Sequence, residues 1–161
     1  IVDDNTQLVV IGTGEQRYED MFRYYAYRYP NKVSANILYS DDLAHKLYAA
    51  ADAFLMPSLF EPCGLTQIIA FRYGTVPIVR ETGGLKDTVE PLNEFEDTGD
   101  GFSFTNYNGD DMVNVINYSK YIFFEQKKVW DNMVKRGMKK DLSWGVSKKR
   151  YEELYNTLIG R

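Results

Sequence analysis

The residue types able to do chemistry gather in one stretch, residues 54–66, FLMPSLFEPCGLT. A short apolar strand stops at Pro57, a loop carries Glu61 and Cys63, and Gly64 leads into a helix. The first N–H groups of a helix have no partner inside it, so a strand handing over to a helix in this way presents donors suited to phosphate. Glu61 stands three residues before Gly64, and Pro57 and Pro62 on either side of it stiffen the loop. A carboxylate held beside such an anion seat is suited to hydrogen-bonding sugar hydroxyls or to balancing positive charge that develops on a sugar during transfer. The default for a glutamate, a solvated surface charge, is the competing reading.

Two other reactive side chains carry less. Cys63 lies near the start of a helix, where a thiolate is stabilised. A free cysteine is more often a small buried hydrophobe, and the single histidine, His45, comes from a different loop, which disfavours covalent catalysis. With no second histidine and no cysteine or carboxylate cluster at ligand spacing, a metal site on His45 is disfavoured as well, and it reads as a capping or packing residue that supports the site. The Gly12-Thr13-Gly14 turn lacks the third glycine of the dinucleotide fingerprint, since Arg17 stands in its place, and Tyr39 ends the second strand where a nicotinamide-binding fold puts an acid. A nicotinamide dehydrogenase is therefore disfavoured. The turn either packs close to the ligand side or touches a nucleotide directly.

These residues must be positioned by alternating strands and helices. Residues 7–11 (QLVVI) form an apolar run ended by glycine, the pattern of a strand buried on both faces. Tyr18, Met21, Phe22, Tyr25 and Tyr29 then recur at helical spacing over residues 17–29, before Pro30. Residues 33–39 read as a second strand, Ser40 as the N-cap of a helix over 43–51, and 53–56 as a third strand. A helix over 64–73 ends at Gly74, a strand covers 76–79, and a turn at 82–85 leads into one helical turn at 86–89. Residues 91–101 read as an exposed loop with a mobile tip, 101–104 as a last strand, and the chain from Asp110 onward as helical, with breaks near 124–125, at 142–143 and around Gly145. The alternation predicts one α/β domain over residues 1–161, a Rossmann-like parallel sheet with helices on both faces. Ligands of such sheets bind at the carboxyl ends of the strands, which selects the loops 12–16, 39–42, 57–66 and 80–85.

Composition narrows the class. A length of 161 residues, 44% hydrophobic and 26% charged, is that of one ordinary globular domain. The net charge of −4 disfavours a general nucleic-acid binder, which carries a basic face. One cysteine makes no intrachain disulfide, so a reducing cytoplasm is the expected setting. No apolar run reaches the roughly 20 residues that span a bilayer, and the N-terminus has no basic region followed by an apolar core. A chain that begins at Ile1, without an initiator Met, reads as a piece of something longer.

The segments FEPCGLTQ (residues 60–67), Thr75-Val76-Pro77 and TGGLKDTV (residues 82–89) resemble, in order and spacing, the bacterial glycogen synthase and plant starch synthase family. The likeness runs from the Gly12-Thr13-Gly14 turn to the C-terminal helices. It implies the C-terminal, donor-binding half of a retaining GT-B glucosyltransferase, in which two Rossmann-like domains face each other across a cleft. It further implies ADP-glucose as donor, the non-reducing end of an α-1,4-glucan as acceptor, an N-terminal domain of the same protein as partner, no metal or other cofactor, and a cytoplasmic setting (a plastid in a plant). By that resemblance Glu61 is the catalytic glutamate near the transferred glucose. Cys63 and Gly64 lie against the glucose, Leu65 and Thr66 hold the distal phosphate, Tyr39 stacks on the adenine, Gly12 and Gly14 face the nucleotide, and Thr82, Gly83 and Gly84 flank the donor. Stacking suits a phenol ring well.

Two positions depart from the family's pattern. A second glutamate, frequent in related transferases eight positions after the first, is Ile69 here, and the basic residue usual before TGGL is Glu81, with Arg80 adjacent. The resemblance also places the Arg and Lys that neutralise the diphosphate upstream of Ile1, so the chain alone is expected to transfer negligible glucose. The alternative is a self-standing nucleotide- or glucan-binding module without catalysis, and a third, structural reading takes the tyrosine-rich helix as a partner surface.

Overall fold

A computed structural model describes residues 5–160. Residues 1–4 and 161 lie outside the described residues, and with them the start of the N-terminal stretch read above for a leader and the last residue of the expected helical tail. In chain order the elements are β1 (Leu8–Ile11), α1 (Gln16–Arg28), β2 (Val33–Asn36), α2 (Asp41–Ala50), β3 (Ala53–Met56), α3 (Thr66–Tyr73), β4 (Val76–Arg80), α4 (Gly83–Thr88), β5 (Phe102–Phe104), α5 (Gly109–Glu125), α6 (Lys127–Lys139) and α7 (Trp144–Leu158).

The fold is α/β with parallel strands, as the alternation predicts, and β4 is its centre. Val76, Pro77, Ile78 and Val79 are all buried, so both faces of the strand must be covered. Val76 and Ile78 pack with Phe102 against Ile116 and Ile122 of α5 and Trp130 and Met133 of α6. Val79 packs on the opposite face with Met56, Phe71 of α3, Leu85 of α4 and Val89. A proline is tolerated in this central strand because the ladder to β5 begins one residue later, at Ile78 opposite Phe102. Gly101 is needed there, since a Cβ would stand 2.7 Å from the Pro77 carbonyl oxygen and 2.6 Å from a Val89 methyl.

Six departures from the sequence reading bear on the sheet and the site. The expected single sheet is two: a pair ordered β1-β2 and a triplet ordered β3-β4-β5, all parallel, with no ladder between them among the described residues. The second strand ends at Asn36 rather than 39, where the Asn36 amide turns back onto the Val10 carbonyl (3.3 Å) and the Ser34 hydroxyl (3.1 Å). α3 starts at Thr66 rather than Gly64, because Gly64 has φ +69, a left-handed value no helix accepts. α4 starts at Gly83 instead of Lys86. Gly145 lies inside α7 and breaks nothing.

The sixth concerns residues 91–101, expected to have a mobile tip. This loop is tied down to α6: Arg136 donates to the Gly99 carbonyl and pairs with Asp97 at 2.8 Å, and Asn132 donates to Asp97 at 2.6 Å. Asp100 is buried, accepts the Glu90 amide at 2.8 Å and pairs with Lys140. The hydrogen bonds from Arg136 and then Asn132 hold the Asp97 carboxyl below the usual carboxylate range.

Candidate functional site

Two of the four candidate loops are locked together. The loop after β3 and the start of α4 meet backbone to backbone: the Gly84 amide donates to the carbonyls of Glu61 and Pro62, 3.2 Å each. The contact is too close for side chains. A Cβ on Gly83 would stand 2.1 Å from the Glu61 carbonyl oxygen, and one on Gly84 would stand 2.0 Å from that of Cys63 and 2.6 Å from its Cα. Gly83 also has φ +43. The two glycines are thus the condition for Glu61, Cys63 and Thr82 to sit side by side.

Gln67 braces the same junction from beneath. Completely buried, its Nε2 donates to the Gly64 carbonyl (2.8 Å), the Cys63 carbonyl (3.2 Å) and the Thr88 hydroxyl (3.0 Å), and Thr88 in turn donates to the Gly84 carbonyl. One amide therefore ties the first turn of α3, the loop before it and the far end of α4. The Thr66 hydroxyl meets the Met56 sulfur at 3.1 Å, fixing the helix start over the end of β3. Leu65, the N-cap position, makes no side-chain cap and is exposed, as is Cys63, so the first amides of α3 keep no side-chain partner within the helix start.

Arg80, at the end of β4, governs the outer part of the loop. Its guanidinium donates to the carbonyls of Ser58 (3.2 Å) and Leu59 (2.9 Å) and lies 5.5 Å from the Tyr107 ring centre. Its Nε is buried without a partner. Glu81, the departure noted above, accepts from the hydroxyls of Ser103 (2.7 Å) and Thr105 (3.1 Å), so its carboxylate is committed to the end of β5.

The other predicted residues lie elsewhere. Gly12 has φ +142 and its amide donates to the Asn36 carbonyl at 3.1 Å, while the Gly14 amide donates to the Glu19 carboxylate at 2.9 Å. Tyr39 is 84% exposed. Its hydroxyl donates to Asp41 at 3.0 Å, and that bond raises the phenol above its ordinary pKa. Ser40 caps α2, accepting the Leu43 amide at 3.2 Å, as the sequence predicts. Among the described residues no hydrogen bond or ring contact links Gly12, Gly14 or Tyr39 to the 57–66 loop. His45 lies 3.0 Å from the Tyr73 hydroxyl and against the Tyr48 ring, a packing role between α2 and α3. Among the described residues no group of three or more His, Cys, Asp or Glu side chains could hold a metal ion.

Of the candidate residues, the Glu61 loop and the Thr82–Gly84 turn lie against each other, and the side chains that hold this region, Arg80 and Gln67, are not among those the sequence singles out. Arg80 was noted only for its charge. Gln67 stood inside the quoted motif with no task assigned, and a buried amide at the fourth residue after a loop cysteine was its only sequence signal.

Comparison with known proteins gives this arrangement a family. Residues 2–132 match the family described as glycosyl transferases group 1. Curated glycogen synthases from Lachnospira eligens (62% identical over 155 residues, 96% of this chain and 32% of the relative) and Clostridium acetobutylicum (53% over 159 residues, 99% and 33%) are similar. The chain spans about a third of the length of these relatives. Among solved structures, the catalytic domain of starch synthase IV from Arabidopsis thaliana, bound to ADP and acarbose, superposes with a TM-score of 0.74 at 29% identity, covering 99% of this chain and 40% of that one. On the match over residues 2–132, the chain belongs to the glycosyl transferases group 1 family.

Proposed function

We propose that the chain is the nucleotide-sugar-binding half of a retaining GT-B glucosyltransferase, a glycogen or starch synthase, in which residues 57–66 and 82–84 hold the glucosyl diphosphate of ADP-glucose. The observation that carries this reading is the side-chain-free contact of Gly83 and Gly84 with the carbonyls of Glu61 and Cys63. It fixes the backbone of the loop that bears Glu61 against the start of α4, just before the helix start of α3, which supports reading the carboxylate as facing the sugar and the first α3 amides as facing the diphosphate. The similarity to curated glycogen synthases and to an ADP-bound starch synthase supports the choice of donor.

Glu61 faces the donor glucose and stabilises the positive charge that builds on it as the bond to the diphosphate lengthens; no adduct forms on it. The amides of residues 64–66 take the developing charge of the leaving phosphate. Tyr39 offers an exposed ring for adenine, and Cys63 and Gly64 line the sugar. Binding uses no metal, the acceptor is the non-reducing end of an α-1,4-glucan, and the protein works in the cytoplasm. The chain alone transfers negligible glucose, because it spans about a third of the length of its relatives and the cations that neutralise the diphosphate are expected in the remainder.

The test is glucose incorporation from ADP-glucose and from UDP-glucose into glycogen by the full-length protein, with ADP release followed in parallel. Transfer from ADP-glucose with a clear preference over UDP-glucose is expected. Absence of transfer from either donor overturns the reading and leaves a nucleotide- or glucan-binding module.

A further inference from the structure

Among the described residues the Glu61 side chain makes no hydrogen bond or ion pair, so the backbone alone decides where its carboxylate stands. Downstream, that backbone is pinned by the Gly84 amide, which donates to the Glu61 and Pro62 carbonyls. Upstream, residues 57–60 belong to no helix or strand, and among the described residues they make only two hydrogen bonds. Both come from one nitrogen, Arg80 Nη1, which donates to the Ser58 carbonyl at 3.2 Å and the Leu59 carbonyl at 2.9 Å. Leu59 and Phe60 are exposed, so burial does not replace those bonds.

Arg80 is poorly suited to stabilising the fold on its own account. Among the described residues it forms no ion pair, and its Nε is buried without a partner, an arrangement that opposes folding. What holds the guanidinium comes from the neighbouring strand and the turn after it. Glu81 fastens the end of β5: its amide donates to the Phe104 carbonyl at 2.9 Å, and its carboxylate accepts from the Ser103 and Thr105 hydroxyls. The turn that follows is fixed as well, since Asn106 donates to Asp111 at 2.7 Å and Asn108 accepts the Asp111 amide at 2.8 Å. Tyr107 stands between these two asparagines, and its ring centre lies 5.5 Å from the guanidinium carbon of Arg80, within cation–π range.

We propose that Arg80 is a positioning residue for Glu61. Held by Tyr107, its guanidinium fixes the carbonyls two and three residues before Glu61, and so sets where the carboxylate stands against the transferred sugar. The effect on turnover rests on the donor reading proposed above; the order imposed on the loop does not. Lysine is a partial substitute, because one ammonium group can donate to both carbonyls but offers no plane to the Tyr107 ring.

The test compares Arg80→Met, Arg80→Lys and Tyr107→Leu in the full-length protein. Tyr107 is 60% exposed, so its replacement leaves the core intact even where Arg80→Met impairs folding. Backbone 15N order parameters of Leu59, Phe60 and Glu61 are expected to fall from about 0.85 to below about 0.6 in Arg80→Met, and part of the way in Tyr107→Leu. Turnover from ADP-glucose is expected to fall by about 10- to 100-fold in Arg80→Met with ADP affinity within a few-fold of the parent, and to recover in part in Arg80→Lys. Order parameters that stay at the parent values in both Arg80→Met and Tyr107→Leu overturn the proposal. So does a lower melting temperature at unchanged kcat, which leaves a structural role alone, and so does a loss of ADP affinity in proportion to kcat, which puts the guanidinium on the diphosphate. A parent protein that transfers no glucose overturns the donor reading, and the order parameters then decide the positioning role without it.

Discussion

Replacing Gly84 with alanine adds one methyl group where the loop before α3 leaves no room for it. The new Cβ would stand 2.0 Å from the Cys63 carbonyl oxygen and 2.6 Å from the Cys63 Cα, so backbone rather than a flexible side chain must move. Overpacking of this kind costs about 1–3 kcal/mol, and separating the strands of chain also breaks the shared bond from the Gly84 amide to the Glu61 and Pro62 carbonyls, worth about 1 kcal/mol. The sum, about 2–4 kcal/mol, lowers the melting temperature of the unit by about 5–15 °C. On the proposed placement of Glu61 at the donor sugar, function suffers more, because a displacement of about 1 Å lowers turnover by about 100-fold. Gly109→Ala is the control, since nothing lies within 4 Å of its Cβ position and it stands at the start of α5, outside the site. Thermal unfolding and glucosyl transfer by the full-length variants decide the matter. If Gly84→Ala unfolds within a degree of the parent and transfers glucose at the parent rate, the account of the two glycines is wrong.

Other consequences are separable from that one. Gln67→Leu removes the donor shared by Cys63, Gly64 and Thr88 and should cost about 1–3 kcal/mol in denaturant midpoint titrations; an unchanged midpoint would mean the amide braces nothing. Tyr39→Ala, at an exposed ring, should leave stability unchanged while raising the KM for ADP-glucose by about 5- to 150-fold, the equivalent of about 1–3 kcal/mol of stacking; an equal fall in kcat with no change in KM would assign the ring another role. Asp97, whose pKa Arg136 and Asn132 lower from the usual 3.8, contributes stability that is present above that value and is lost as pH falls through the lower folded value. A carboxyl-detected NMR titration should find Asp97 titrating below the usual carboxylate range and moving up in Arg136→Ala, and an unmoved midpoint would remove the loop anchor.

Much of the architecture was legible because local pattern and tertiary context agree. β3 appears where the apolar run ends at Pro57, and α3 ends at Gly74, whose φ of +79 is the left-handed cap a glycine supplies. The helix starts were less legible, because they are set by backbone contacts between distant segments. Gly64 looked like a first helical residue, yet it turns left-handed so that its carbonyl can reach Gln67. Gly83 looked like part of a turn, yet it opens a helix because the 61–63 loop leaves space for backbone alone. The anchoring of the 91–101 loop was not legible for a similar reason: a polar, acidic composition fits the exposed tip, where Phe95 is 94% exposed, equally well as it fits carboxylates aimed at Arg136 and Lys140. The divided sheet was invisible, since each strand's own residues say only that it wants neighbours.

In the proposed function, Glu61 sits at the donor sugar and stabilises charge during transfer. Its most direct test is steady-state transfer from ADP-glucose to glycogen by the full-length protein carrying Glu61→Ala, with ADP affinity measured on the same sample. Turnover lower by about 100-fold or more is expected, with ADP binding within a few-fold of the parent. A variant that transfers glucose at the parent rate contradicts it.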